Sequence, residues 1–417
     1  MNVRPQTATQ PGIRVGIMSA PRLHFVLHGV FRCGRQQVSG AQKVTVREGR
    51  IVWNGTEYDE LLFTPETQDA TLQLSDVTIG VRFHWQRSET QTFSGALRIE
   101  VNQGLLLAIN ELPVEQYLVC VISSEMRSTS SPEFLKASAI VARSWLLAQL
   151  NRKEIVTDET TSRLFTLNEH ERILWYTRSD HSRFDVCADD HCQRYQGLSR
   201  ATNPHVRQAV EETCGLVLTY EGQVCDARYS KCCGGRSNEF QYCWENVRVP
   251  YLTSVPDTFC NTHSAEVLRQ VLNDYDQETT DFYLWSEELT QQELQTFITE
   301  KTGHELGDIL SMEAEERGPG GHISRLRIEG SRGMLILGKE LEIRRVLSRS
   351  HLKSSAFDVR PLDVRNGVPQ RFRLDGRGWG HGVGMCQIGA AVMGSQGYSY
   401  DKILRHYFPL ASVEKIY

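Results

Sequence analysis

The sequence predicts an α+β fold. A β-rich N-terminal part covers residues 1–108. A mixed core of short helices and strands covers 109–417, with a small helical insertion at about 262–315. Three observations lead there. Short β-branched and alternating runs fill the first hundred residues and then stop. Apolar residues at helical spacing take over from Val114 to Leu150. Beyond residue 185 the chain is rich in Gly, Cys and aromatic residues, with brief strand runs between turns.

The first strand signal is the alternation of Ile13, Val15 and Ile17 with Arg14, Gly16 and Met18. The runs His24–Leu27, Lys43–Val46 and Thr78–Phe83 follow, separated by Gly, Asn and Asp turn signals. Leu97–Val101 and Leu105–Leu107 flank Asn102-Gln103-Gly104, the pattern of a hairpin. At Asn110 the texture changes. Pro113 suits a helix start, and Val114, Tyr117, Leu118 and Val121 share one helical face. Ser131 is a good N-cap with Pro132 at the first helical position. Phe134, Leu135, Ser138, Val141, Ala142, Trp145 and Leu146 then line one face. Leu216–Tyr220, Ile323–Ile328 and Met334–Leu337 read as strands. Residues 262–310 turn polar and are expected to be helical, for instance from Ser286 to Thr302. Two helices are expected near the end, one through about Met393 and one from Ser399 to His406.

Composition bounds the function. The 417 residues, 40% hydrophobic and 23% charged, are enough for two or three domains of about 150 residues, and exclude global disorder. A net charge of -5 argues against non-specific nucleic-acid binding, which needs a basic face. No run of 18 apolar residues exists, so no membrane-spanning helix is expected. Met1 to Gly29 hold no apolar core of about 7–15 residues and do not read as a secretory signal. Of eleven Cys, eight lie between Cys187 and Cys260. Some can be buried free thiols, but the cluster suggests a metal site. The adjacent Cys232 and Cys233 are poorly placed to pair with each other.

Three stretches carry candidate chemistry. Glu125, in the short link between the two expected helices, has only Arg127 as an ionisable near neighbour. A carboxyl near apolar surface is disfavoured in its charged form, which suits a general acid. The run from Asp375 to Met385 has glycine at every second position from Gly376 to Gly384. It permits close backbone approach and would leave Trp379 and His381 as handles for a ligand. It fits neither a Rossmann turn nor a P-loop. Finally, His181, Cys187, His191 and Cys192 fall within twelve residues and can close a tetrahedral zinc site. The competing reading is a Cys187–Cys192 disulfide.

These pieces together resemble the stage II sporulation protein D family, to which the amidase enhancers also belong. The resemblance rests on Asn110–Leu118, Ser124-Glu125-Met126, Leu135–Ser144, Cys187–Tyr195, Cys233–Ser237, Pro250–Leu252, Gly378–Ala390 and Ile403–Pro409. It departs from the family pattern at Cys192 and Cys386, where many members have Ser, and in the insertion. It implies a lytic transglycosylase that cleaves peptidoglycan glycan strands between N-acetylmuramic acid and N-acetylglucosamine, leaving a 1,6-anhydro end. Glu125 would be the catalytic acid. Gln193, Tyr195, Ser237, Trp379, His381 and Gln387 would be strand-binding groups. Zinc at His181, Cys187, His191 and Cys192 would be structural, because four protein ligands leave no open position for a catalytic water. The alternative it implies is a non-catalytic, peptidoglycan-binding enhancer of a cell-wall amidase. Such a protein is expected in the cell envelope or outside the cytoplasm.

Overall fold

A computed structural model of the chain describes residues 10–80, 86–126, 130–152, 165–175, 181–189, 191–201, 204–271 and 282–417. Arg127, expected beside Glu125, lies outside the described residues. The fold is α+β, with strands and helices distributed over several sheets. The chain divides into two compact units. One holds residues 1–128, 178–216 and 415–417, and the other 129–177 and 217–414.

The first unit is built on one large sheet. Its strands are β1 (Gly12–Ala20), β2 (Arg22–Cys33), β3 (Gln36–Arg47), β4 (Arg50–Trp53), β5 (Thr56–Tyr58), β6 (Glu60–Pro65), β7 (Thr71–Ile79), β8 (Arg87–Phe93), β9 (Ala96–Asn102) and β10 (Leu105–Pro113). The order is β1-β10-β9-β6-β2-β3-β4-β5, with β7 on β2 and β8 on β7. A two-residue strand, Val186–Cys187, adds in parallel to the outer edge of β1. The texture change near residue 108 falls inside β10. Alternation buries one face: Leu23, Phe25 and Leu27 of β2 point inward, and Phe63 meets both Phe25 and Trp53 edge-on, at 5.2 and 5.3 Å between centroids. The β9–β10 hairpin turns at Gln103 and Gly104, both with positive φ, as a tight primed turn requires.

β10 leads directly into α1 (Val114–Glu125). Pro113 ends the strand and serves as the N-cap residue, its ring nitrogen carrying no N–H to satisfy. Val114, Tyr117, Leu118, Val121 and Ile122 are buried, and α1 packs on β10, β1 and the helix Pro204–Glu212.

The second unit opens with α2 (Pro132–Arg152). Ser131 caps it as expected, its Oγ accepting from the Phe134 amide at 3.3 Å. α2 packs on the helices Gln387–Ser395 and Tyr400–Tyr407. Among the described residues, four sheets lie largely in this unit, and two of them build its core. One contains Ile309–Arg317, Ile323–Gly330, Gly333–Gly338, Glu171–Leu174 and Phe165–Leu167. The other contains Leu284–Thr290, Arg371–Arg377 and Phe357–Leu362. Leu326, Ile328, Leu337, Ile343, Phe357 and Phe372 lie in one hydrophobic core.

The expected helix from Ser286 to Thr302 is half wrong. Leu284–Thr290 is a strand paired with Arg371–Arg377, and the helix runs only from Gln291 to Thr302, opened by a Thr290–Glu293 capping box. The signal was ambiguous: Trp285 and Leu289 are buried four residues apart, a spacing that suits a helix face and alternate strand positions alike. No helix among the described residues is long and apolar enough to cross a membrane.

Candidate active site and metal centre

Glu125 sits at the end of α1, as its last helical residue and not in the link beyond it. The helix stops because Met126 turns extended, with φ -120° and ψ 148°, while its amide still reaches Ile122 O. Ser124 Oγ donates back to Cys120 O at 2.7 Å and accepts from the Gln196 amide at 3.2 Å. Ser124 therefore ties the helix end to the segment Gln193–Gln196. Glu125 is partly buried, and its Oε1 accepts from the Arg194 amide at 3.4 Å. A backbone amide thus reaches the carboxylate of a residue that is itself partly exposed.

The residues around this segment explain its rigidity. Tyr195 and Gln193 are each 1% exposed, so their side chains serve the framework. Tyr195 OH donates to Asn110 Oδ1 at 2.6 Å, and Asn110 Nδ2 donates to Ser94 O and Ala96 O at 2.9 and 3.0 Å. The Tyr195 ring stacks between Tyr117 at 5.1 Å and Phe93 at 5.8 Å. Tyr117 OH reaches Gln193 Oε1 at 3.2 Å. Burial pushes the Tyr195 phenol far above its ordinary value, so it stays a hydroxyl donor. Gly197 lets the segment lie against β8: a Cβ there would stand 2.3 Å from Thr92 O, at a φ of +59°. Gln193 and Tyr195, expected as strand-binding groups, thus lie buried on either side of Arg194 in the chain. Asn110, Tyr117, Phe93 and the Arg194 amide were not singled out from sequence. Asn110, Tyr117 and Arg194 had only their place in the motifs as a signal and Phe93 had none, because an aromatic stack across sheet, helix and loop leaves no local spacing.

The four metal candidates converge. The ligand atoms of His181, Cys187, His191 and Cys192 all lie within 4.8 Å of one another. Cys192 Sγ is 3.4 Å from His181 Nε2 and 3.6 Å from His191 Nδ1, and Cys187 Sγ is 4.0 Å from His191 Nδ1. Around a tetrahedral zinc, sulfur and nitrogen ligands stand about 3.6 Å apart, so the donor set fits. No disulfide joins Cys187 to Cys192. Cys192, followed by the two imidazoles, holds the Cys187 thiol far below its usual range. Adjacency of His191 and Cys192 is accommodated because the Cys192 amide turns back to Asp189 O at 3.0 Å. The loop is also pinned to the sheet: the Asp185 amide reaches Arg14 O, and the Ala188 amide reaches Gly16 O. Its far end closes through the Tyr195 amide on Ala188 O at 3.0 Å. Zinc held by these four residues would order the loop that presents Arg194 to Glu125, a structural task.

The remaining expected binding residues belong to the second unit. Ser237 and Gln387 are buried. Ser237 Oγ accepts from the Val255 amide at 2.8 Å, which makes it a framework group rather than a handle. Trp379 is half-buried, paired through its backbone with Cys232 and packed on Phe282 at 5.1 Å. His381 accepts from the Val383 amide through Nδ1 at 3.0 Å and packs on Trp244 at 4.9 Å. Burial and the Arg228 guanidinium hold His381 well below the usual imidazole range, so it is neutral. The glycines of this run serve close approach within the protein: a Cβ on Gly384 would meet Arg228 O at 2.0 Å, and one on Gly382 the His322 ring at 2.4 Å.

Two family models match the chain. One, described as Stage II sporulation protein, covers residues 102–220, which include Glu125 and the four metal candidates. The other, described as a domain of unknown function, covers 238–384, which include the polar stretch near 262–315. Among similar proteins, Stage II sporulation protein D of Bacillus subtilis strain 168 is 26% identical over 304 residues, 72% of this chain and 74% of that protein. The protein of the same name from Bacillus amyloliquefaciens is 26% identical over 302 residues, with the same shares. The amidase enhancer of Bacillus subtilis strain 168 is 26% identical over 310 residues, 69% of this chain but 39% of that protein.

Proposed function

We propose, for a chain that belongs to the stage II sporulation protein D family, a role in cell-wall processing as a lytic transglycosylase acting on peptidoglycan glycan strands. The observation that carries this reading is Glu125, a partly exposed carboxylate on a rigid helix end, oriented by the Arg194 amide. Protonated Glu125 donates to the glycosidic oxygen between N-acetylmuramic acid and N-acetylglucosamine as the C1–O bond breaks. The same carboxylate then takes the proton of the muramic acid C6 hydroxyl, whose oxygen bonds to C1. The product is a 1,6-anhydro end, and no water is consumed. One carboxylate suffices, unlike the carboxylate pair of most glycoside hydrolases.

A second reading is a peptidoglycan-binding enhancer of a cell-wall amidase, favoured by the similarity to the amidase enhancer across 69% of this chain. Mass spectrometry of muropeptides after digestion of purified glycan separates the two. Anhydro-muropeptides that disappear with Glu125→Gln support cleavage. Stimulation of an added amidase by both proteins, with no anhydro product, overturns it.

A further inference from the structure

We propose that the second unit holds a buried mononuclear zinc site formed by Cys233, Cys260 and Cys386, with Asp257 as the fourth ligand. It is separate from the His181–Cys192 cluster and independent of whether the protein cleaves glycan.

The four donors come from three distant stretches of chain, yet their ligand atoms lie within 4.8 Å of one another. Cys233 Sγ is 3.7 Å from Cys260 Sγ and 3.2 Å from Asp257 Oδ2. Zinc–sulfur bonds of about 2.3 Å on a tetrahedron put two sulfurs about 3.8 Å apart, and a sulfur and a carboxylate oxygen about 3.5 Å apart. The sulfurs are too far apart for a disulfide, which needs about 2.05 Å. A spacing of 3.7 Å is that of two thiolates on one metal atom.

The surroundings are those of metal thiolates. Backbone amides point at the sulfurs: Gly235 N–H donates to Cys260 Sγ at 3.2 Å, and Cys233 and Gly389 N–H donate to Cys386 Sγ at 3.4 Å each. Cys386 is the N-cap of the helix Gln387–Ser395, whose positive end favours an anionic sulfur. Asp257 is held as a ligand would be. Its Oδ1 accepts from the Phe259 and Cys260 amides at 2.9 and 3.1 Å, and its Oδ2 accepts from Tyr407 OH at 3.0 Å. Cys233, Asp257, Cys260 and Cys386 are all at most 1% exposed. A carboxylate sealed among thiols is expensive without a cation, and a thiophilic divalent ion removes that cost. Full burial leaves no open coordination position, so the site is structural.

What the site would secure is visible in the chain path. Cys232, next to a ligand, pairs with Trp379, and Cys386 closes the glycine-rich run. The ion would bind the Cys232–Gly235 turn, the Asp257–Cys260 loop and the start of a buried helix into one piece. Binding converts three thiols to thiolates and releases their protons, so its free energy adds to folding. Cys232 also lies within reach of Cys260 and Cys386, and it is the natural control.

Elemental analysis of the full chain, purified without chelator, tests the proposal. Two zinc ions per chain are expected, one in Cys187→Ser, one in Cys386→Ser, none in the combination. Cys232→Ser keeps the second ion and Asp257→Ala loses it; the reverse pattern overturns the assignment of Asp257. Because Cys386→Ser can fail to fold, cobalt is titrated into the Cys187→Ser/Cys192→Ser protein, where the second site is intact. A tetrahedral thiolate–cobalt spectrum at one equivalent supports the site. Absence of that spectrum, or a Cys233–Cys260 disulfide found by alkylation and intact mass, overturns it.

Discussion

Replacing Tyr195 by Phe isolates the contact that seats the Arg194 segment. The ring keeps its stacking on Tyr117 and Phe93, while the hydroxyl loses its 2.6 Å bond to Asn110 Oδ1 and its contact with the Cys120 thiol. Asn110 is 0% exposed and spends its Nδ2 on Ser94 O and Ala96 O, so it cannot turn its amide to compensate. A buried acceptor left without its donor costs about 1–3 kcal/mol. At roughly 2–4 °C per kcal/mol for a large domain, the melting temperature falls by about 2–12 °C. A double-mutant cycle with Asn110→Leu separates the bond from its surroundings: removing both partners costs less than the sum of the single changes, with a coupling of about 1 kcal/mol. Under the proposed activity, kcat falls while KM holds, because Tyr195 positions Arg194 against Glu125 without touching glycan. Calorimetry and steady-state digestion read the two effects. Additive single mutants, each within about 0.3 kcal/mol of wild type, would refute the reasoning.

Glu125→Gln is expected to fold normally and to lose about 10²–10⁴ in cleavage rate, since Gln keeps the shape but carries no exchangeable carboxyl proton; wild-type turnover in a muropeptide assay would sink the mechanism. Gly384→Ala places a Cβ 2.0 Å from Arg228 O at a φ of +74°, and about 2–5 kcal/mol of stability should go; an unchanged melting curve would contradict this. His322 is buried beside Gly380 O, and burial lowers its pKa from 6.5 to about 4. Its contribution, at most about 3 kcal/mol, is full above 6.5 and is lost as pH falls through about 4, because the unfolded chain takes up the proton first. Urea titrations at pH 7 and pH 4 should show that loss, and His322→Gln should flatten it. Cys187→Ser should release the metal of the first cluster and lower the melting temperature; full retention of that metal would remove Cys187 from the ligand set.

Local patterns were legible wherever one short stretch decided the outcome. Ser131 before Pro132 marked the start of α2, Asn102-Gln103-Gly104 marked the β9–β10 turn, and Ser399 capped its helix through the Lys402 amide. The metal candidates of the first unit were legible for the same reason: His181 to Cys192 is one loop, and its spacing needs only a local fold. The extent of α1 was misjudged by a few residues at Glu125, because the helix ends on an extended Met126 with no glycine or proline to announce it. Leu284–Thr290 was misjudged because its strand partner lies more than eighty residues away, and partner choice overrides a four-residue burial spacing.

The buried residues show the limit most clearly. Motif position suggested that Gln193, Tyr195, Ser237 and Gln387 meet substrate, yet all four are buried, and the first three hydrogen-bond to Tyr117, Asn110 and Val255 within the protein. A group that positions a catalytic carboxylate and a group that touches sugar look alike in one sequence, since both are polar and both sit in the motif; only burial separates them. The cysteines behave in the opposite way. Cys233, Cys260 and Cys386 are scattered over more than 150 residues and invite the reading of inert buried thiols. Their convergence on Asp257, with three backbone amides aimed at their sulfurs, is a tertiary fact with no sequence period to betray it. In the first unit a metal loop would steady the Arg194 amide that orients Glu125, and in the second a buried metal would steady the glycine-rich run that carries Trp379. Under both metal proposals chelation removes an ion from each unit, so it is expected to lower the melting temperature, which calorimetry reads.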